Sequence, residues 1–122
     1  MTTEDIQRRI DDCLYWDMLV EELKCDHFAD EIMIIYTNVD GEETKFVFSG
    51  CYNVAFNHAI SYDKLRPVKD MTLAQKPYYL QDIAVGERVE QGIAFYTCKI
   101  DVFPLCIEIL CKNIEVIRNG KA

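Results

Sequence analysis

Apolar residues recur at helical spacing near the start of the chain, at Ile6, Ile10, Cys13 and Leu14. Thr2 followed three residues later by Asp5 is typical of a capping box at a helix start. The sequence therefore predicts an N-terminal helix. The same spacing recurs at Trp16, Leu19, Val20 and Leu23, although it is interrupted within residues 13–17.

Beyond residue 30 the apolar period changes to two, the period of a β-strand. Residues 31–38 alternate with apolar side chains on both faces, which predicts a central strand. Asp40-Gly41 then supplies the positive φ of a tight hairpin turn. Residues 45–57 follow as the clearest strand, and one of its faces carries Phe46, Phe48, Tyr52, Val54 and Phe56.

The remaining chain contains three further predicted strands, at residues 78–90, 94–102 and 105–117. Phe103-Pro104 forms the turn between the last two strands. After Lys112-Asn113 the apolar phase shifts by one residue, which predicts a β-bulge or a turn into a further strand. Residues 58–77 show no clear period, so we expect a short helix or an irregular edge there.

These elements predict an α+β fold, with an N-terminal helix packed on a mostly antiparallel sheet of five or six strands. A length of 122 residues fits a single domain over residues 1–122. Half of the residues are hydrophobic, which is enough for a substantial core. The oligomeric state has no signature in the sequence.

Acidic residues are concentrated in the first third of the chain. Residues 1–43 contain thirteen carboxylates against three basic side chains, whereas the whole chain carries a net charge of −8. Such a field favours a basic protein partner and disfavours nucleic acid and anionic membrane. The residues that we predict to contact this partner are Asp11, Asp12, Glu21, Glu22, Asp30 and Glu31.

Two sets of side chains have the residue types of a chemical site. His27, Asp30 and Glu31 have the ligand chemistry of a metal site, but we favour a solvated connector because carboxylates commonly fill turns. Cys51 and His58 are a nucleophile and a base by residue type only, without a recognisable signature around the cysteine. We therefore predict no catalytic residue, no metal and no cofactor, since phosphate-binding glycine motifs are also missing from the sequence.

The six cysteines and the chain start bear on the cellular location. The cysteines form no C-x-x-C pair, and most lie within apolar runs, where a free thiol packs as a small core residue. The first residues lack the pattern of a signal peptide, and no apolar run is long enough to span a bilayer. We expect a cytoplasmic protein with reduced thiols.

Two segments resemble a known protein family. They are the step Asp26-His27-Phe28-Ala29-Asp30-Glu31-Ile32 with the strand after it, including Phe46-Val47-Phe48, and the closing strand of residues 107–116. Over residues 25–57 and 78–117 the chain resembles small bacterial immunity proteins of polymorphic toxin systems. The resemblance implies a non-enzymatic protein that neutralises a toxin by stoichiometric binding, and it supplies no catalytic residues.

Two other classes of function are compatible with the sequence. The first is a small-ligand-binding domain or enzyme with a pocket between the sheet and residues 58–77, where Tyr62, Tyr78 and Tyr79 flank the irregular segment. The second is a subunit that docks into a larger assembly through its acidic helix. A basic toxin domain as partner accounts best for the charge asymmetry, because opposite charge speeds association.

Overall fold

The computed structural model describes residues 2–63 and 66–119 of the chain. Within them, the main elements are α1 (Thr3–Asp11), β1 (Glu22–Asp26), β2 (Glu31–Thr37), β3 (Glu43–His58), β4 (Asp82–Glu90), β5 (Ile93–Val102) and β6 (Leu105–Asn119). The six strands form one antiparallel sheet with the order β1-β2-β3-β6-β5-β4. Two short 3-10 helices, Val68–Asp70 and Leu73–Gln75, lie between β3 and β4.

The predicted α+β class is wrong, because the described chain is nearly all-β. Its one α-helix has nine residues and is therefore about 13 Å long. Six strands at the usual spacing span about 24 Å, so this helix cannot form a layer over the sheet. The predicted continuation beyond the helix fails because Leu14 and Asp17 have φ values of 49° and 62°, outside the helical region.

The start of α1 agrees with the capping box that the sequence predicts. The Thr2 hydroxyl accepts a hydrogen bond from the Asp5 N–H, and the Asp5 carboxylate accepts one from the Thr2 N–H, both at 3.1 Å. The amide of Gln7 binds the outer edge of β4, donating to the Ile83 carbonyl and accepting from the Val85 N–H, each at 2.8 Å. The helix is thereby fixed to the edge of the sheet.

Strand β1 was not among the strands predicted from the sequence. All five of its residues are exposed, and the alternation of Leu23 and Cys25 with polar residues covers only five positions after a segment with helical spacing. The strand pairs with β2 from Glu22 opposite Ile35 to Asp26 opposite Glu31. As the outermost strand, β1 is held by its backbone pairing and not by burial of its side chains.

Beyond the sheet pairing, backbone hydrogen bonds link the two edges of the sheet at one end. Residues 17–20 lead into β1 and pair with residues 78–80, which lead into β4, and the Leu19–Tyr79 bridge lies between them. The N–H to carbonyl bonds between these two segments, each 2.8 Å, are Asp17 to Leu80, Val20 to Tyr78 and Leu80 to Met18. The sheet therefore curls around its core and nearly closes on itself.

The two longest strands, β3 and β6, are irregular at their middle. Gly50 has a φ of 63°, and a Cβ atom there would lie 2.9 Å from the Cβ of Lys112. The register shifts between Cys51 and Asn53, as in a β-bulge. The irregularity that the sequence predicts after Lys112-Asn113 thus appears in the partner strand. Tyr52 is two-thirds exposed, whereas Phe48, predicted on the same face of the strand, is fully buried.

The core lies inside the curled sheet and is closed by the N-terminal segment. The largest fully buried side chains of the core include Tyr15, Tyr36, Phe46, Phe48, Ile10, Ile32, Ile34, Leu80, Ile83, Ile100 and Ile107.

Among the described residues, no helix has the length and apolar composition needed to cross a bilayer.

Candidate functional site

The six predicted contact residues fall into two groups in the structure. Asp11 and Asp12 lie at the end of α1, and the Asp11 carboxylate accepts a 3.0 Å hydrogen bond from Gln7 beside β4. The other four, Glu21, Glu22, Asp30 and Glu31, lie in or next to β1 and β2. The first two residues thus belong to the N-terminal helix region and the other four to the β1–β2 hairpin.

The second group belongs to a hairpin rich in carboxylates. We call Glu21, Glu22, Asp26, Asp30 and Glu31 the acidic edge. Lys24 is the one basic residue within this segment, and its ammonium lies 3.2 Å from the Glu22 carboxylate. Within residues 2–63 and 66–119, no salt bridge reaches the other four carboxylates.

Strand pairing brings two of these carboxylates opposite each other. Asp26 of β1 is the register partner of Glu31 of β2. Like charges at directly opposite positions destabilise an antiparallel pair. A cationic side chain bound between Asp26 and Glu31 would remove this repulsion.

The tip of the same hairpin has an unusual backbone. His27, Phe28 and Ala29 have successive φ values of 54°, 57° and 67°, in the left-handed region that non-glycine residues rarely adopt. Such residues cost of order 1–3 kcal/mol each. Phe28 is fully exposed at this tip, and the Cys51 N–H donates to the Asp30 carbonyl at 3.1 Å behind it. The sequence interpretation overlooked Phe28, although an aromatic residue within a polar connector is an available signal.

The structure does not bring together the residues of the two chemical sites considered from the sequence, the metal site at His27 and the Cys51–His58 pair. In the described part of the chain, no three His, Cys, Asp or Glu side chains are grouped so that they could hold a metal ion, around His27 or elsewhere. Cys51 and His58 are seven residues apart in one strand, which is about 23 Å. Burial, with a smaller effect of Asp30, raises the pKa of Cys51 to about 11, so its thiol is a poor nucleophile at neutral pH.

A cavity of about 310 Å³ lies between the sheet and residues 68–78, where the alternative interpretation places a ligand pocket. Its floor is apolar and buried. At its mouth, the Nε2 atom of His58 is 2.9 Å from the Tyr78 hydroxyl, in a hydrogen bond whose direction depends on the histidine tautomer. The described residues that line it are Val20, Glu21, Glu22, Leu23, Ile34, His58, Val68, Lys76, Tyr78, Val102, Leu105 and Ile107.

The cavity and the acidic edge share two residues. Glu21 and Glu22 line the mouth of the cavity and also begin the acidic edge. Of the three tyrosines around the irregular segment, Tyr78 lines the cavity, whereas Tyr62 and Tyr79 are more than one-third exposed. This side of the molecule therefore combines negative charge, an apolar cavity and exposed aromatic side chains, the features of a binding surface.

The thiols are free, and most are shielded from solvent. Cys13, Cys98 and Cys111 are buried, Cys51 and Cys106 are half-buried, and Cys25 is exposed. Burial raises the pKa of Cys111 to about 12 and also raises the pKa values of the Cys13 and Cys98 thiols. These groups hold their protons more tightly in the folded chain than in the unfolded chain.

We expect the protein to lose stability in alkaline solution. Since these thiol pKa values are raised on folding, their contribution is complete below the ordinary value of 9.0 and disappears as pH rises toward about 11 and 12. Urea unfolding should show a fall of roughly 4 kcal/mol between pH 8 and pH 10, because Cys51, Cys98 and Cys111 each lose about 1.3 kcal/mol over this range. Cys98→Ala should reduce this fall, whereas Cys25→Ala, at an exposed site, should not. A stability that stays constant over this range would contradict the expectation.

Comparison with known proteins supports one family. The family model for Immunity protein PIM7 matches residues 2–118, nearly the whole chain, in agreement with the resemblance seen in the sequence. Among solved structures, the chain is similar to the crystal structure of an uncharacterized protein from Neisseria gonorrhoeae, with 14% identity and a TM-score of 0.56. That similarity covers 84% of this chain and 91% of the other, and it shows a shared fold alone. A search of curated protein sequences finds no match.

Proposed function

The chain belongs to the Immunity protein PIM7 family, and we propose that it neutralises a toxin by forming a stoichiometric complex with it in the cytoplasm. The partner is a basic toxin domain. Neutralisation takes place by occlusion, without a chemical step on the toxin. The observation that carries this proposal is the acidic edge, with four carboxylates outside any described salt bridge.

The charge of the acidic edge suits rapid capture of a basic toxin. Opposite charges raise association rates well above those of neutral pairs, and the gain falls as salt screens the field. An immunity protein has to bind before the toxin reaches its target, so fast association is useful in itself. The same charge discourages the chain from competing with the toxin for a nucleic-acid substrate.

Phe28 supports the same location for the interface. An exposed aromatic side chain surrounded by polar residues is the usual composition of an energetically dominant contact. The left-handed backbone of residues 27–29 holds Phe28 away from the sheet, and the hydrogen bond from Cys51 to Asp30 fixes the base of the hairpin. A toxin that covers the hairpin would bury Phe28 and compensate Asp26, Asp30 and Glu31 together.

Binding to the cognate toxin domain should be 1:1 and sensitive to salt. We expect the association rate to fall at least tenfold between about 0.02 M and 0.5 M salt, because the screening length drops from roughly 20 Å to 4 Å. Stopped-flow or surface-based kinetics with an inactivated toxin measure the association rate at each salt concentration. In parallel, co-expression should protect cells from the active toxin. Failure to bind or to protect would refute the proposed function.

A further inference from the structure

We propose that the 310 Å³ cavity is the socket for an apolar anchor side chain of the toxin, next to a cationic side chain that meets Glu21. This inference rests on the proposed function and specifies where the partner inserts. The acidic edge and the cavity then form one continuous contact surface, because Glu21 and Glu22 belong to both.

The wall of the cavity is built to receive an apolar group. Five of its lining residues are buried and aliphatic, and they come from the N-terminal connector, β2, β5 and β6. An apolar side chain that enters such a space removes its own apolar surface from water, which favours its binding. The floor residues are Val20, Ile34, Val102, Leu105 and Ile107.

The mouth of the cavity reaches the surface at β1. Glu21, Glu22 and Leu23 line it consecutively, and all three are exposed. β1 is the outermost strand, so a partner can approach its side without displacing another element of the sheet. A chain segment that lies along β1 is therefore placed to insert a side chain beside Leu23.

Polar groups at the mouth define the surroundings of the anchor. Glu21, on the β1 side, carries no described salt bridge and suits an arginine or lysine of the partner. Lys76 and the His58–Tyr78 hydrogen bond lie among the other lining residues, where they can contact acceptors such as carbonyl groups of the inserted segment. An apolar residue with a basic neighbour is thus the sequence feature that the socket selects.

The size and charge of the cavity favour a protein side chain over a free small molecule. At about 310 Å³ it is at the lower limit of small-ligand pockets, which span roughly 300–1,000 Å³. Its mouth lies within the most acidic part of the chain, which attracts a basic macromolecule over its whole face. Anchors of this kind carry a disproportionate share of binding energy in protein complexes.

Filling the cavity tests the inference. Val68 is a half-buried lining residue on the 3-10 helix, and Val68→Trp should occupy the space in the free protein. We expect the Kd for the inactivated toxin to rise at least tenfold with an unchanged melting temperature. Val89→Trp is the matched control, because Val89 is 68% exposed on β4 and does not line the cavity. Its Kd should stay within about twofold of the wild type.

A second pair of variants covers the case in which the tryptophan disturbs folding. Leu23 and Leu73 have similar exposures of 37% and 42%, but only Leu23 lines the cavity. Leu23→Ser should weaken toxin binding about fivefold, whereas Leu73→Ser should leave it unchanged. These substitutions are at exposed positions, where the fold tolerates a polar side chain.

The possible outcomes separate the two proposals. If wild-type protein binds the toxin and folded Val68→Trp and Leu23→Ser bind equally well, the socket is refuted while the proposed function stands. If the wild type forms no complex, the proposed function itself fails. The neutral dye Nile red provides a further check, since saturating toxin should displace it from the cavity. Dye that stays bound in the complex would indicate a small-ligand site and overturn the inference.

Discussion

Phe48→Ala should lower the free energy of unfolding by about 3–5 kcal/mol, the usual range for truncation of a buried phenylalanine. Phe48 is fully buried in the middle of the core, and its register partners are Ile32 on β2 and Ile114 on β6. The two longest strands pack around this position, so the cavity left by the ring cannot close easily. Urea unfolding monitored by the fluorescence of Trp16 measures the change.

Lys45→Ala is the control for this substitution. Lys45 lies on the same strand, and its ammonium is 3.6 Å from the Glu43 carboxylate in a partly exposed ion pair that contributes about 0–1 kcal/mol. Thr44, the preceding residue of the same strand, would be a poor control because it is fully buried. An unfolding midpoint for Phe48→Ala equal to that of the wild type would show that the core face of β3 is assigned wrongly.

The strands that contribute side chains to the core were predictable from the sequence. Predicted strands at residues 31–38, 45–57 and 94–102 correspond closely to β2, β3 and β5, because burial of one face requires a period of two. The closing strand, predicted at residues 105–117, extends to Asn119 as β6. Local backbone preference and hydrophobic alternation agree in these segments, so either signal leads to the same element.

Prediction failed where tertiary pairing overrides the local pattern. Residues 17–23 carry apolar side chains at helical spacing, yet residues 17–20 pair with residues 78–80 and the following residues form β1. This pairing joins segments about sixty residues apart in the sequence, and the local pattern of apolar and polar residues does not indicate it. The short helix and the extra strand together change the fold class from α+β to nearly all-β.

The candidate site was predictable in its charge but not in its shape. The excess of carboxylates in residues 1–43 is visible in the sequence, whereas the pairing of Asp26 with Glu31 depends on strand register and the place of Asp11 outside the β1–β2 hairpin depends on the fold. The cavity requires segments from across the chain to meet, so the sequence indicated only its neighbourhood at residues 58–77. Phe28 was noticeable in the sequence as an aromatic residue in a polar connector, but its complete exposure is known only from the structure.

Because the six predicted contacts fall into two groups, charge reversal can decide which group binds the toxin. Glu21→Lys with Glu22→Lys changes the acidic edge at the mouth of the cavity, and Asp11→Lys with Asp12→Lys changes the end of α1. Both double variants raise the net charge by four. They therefore weaken long-range attraction to a similar extent, and any difference between them reports direct contact.

We expect the Glu21/Glu22 double variant to bind the toxin about a hundredfold more weakly at low salt, about 2.7 kcal/mol. The Asp11/Asp12 variant should show only a modestly slower association, because it loses steering but no contact. The difference should shrink as salt rises, since screening removes the new repulsion between lysines and a basic toxin. Association and dissociation rates measured at several salt concentrations give the affinity of each variant and its dependence on salt. Equal losses in the two variants would mean that net charge alone drives capture, and a larger loss at Asp11 and Asp12 would move the interface to the helix, because only a direct contact makes the position of a reversed charge matter.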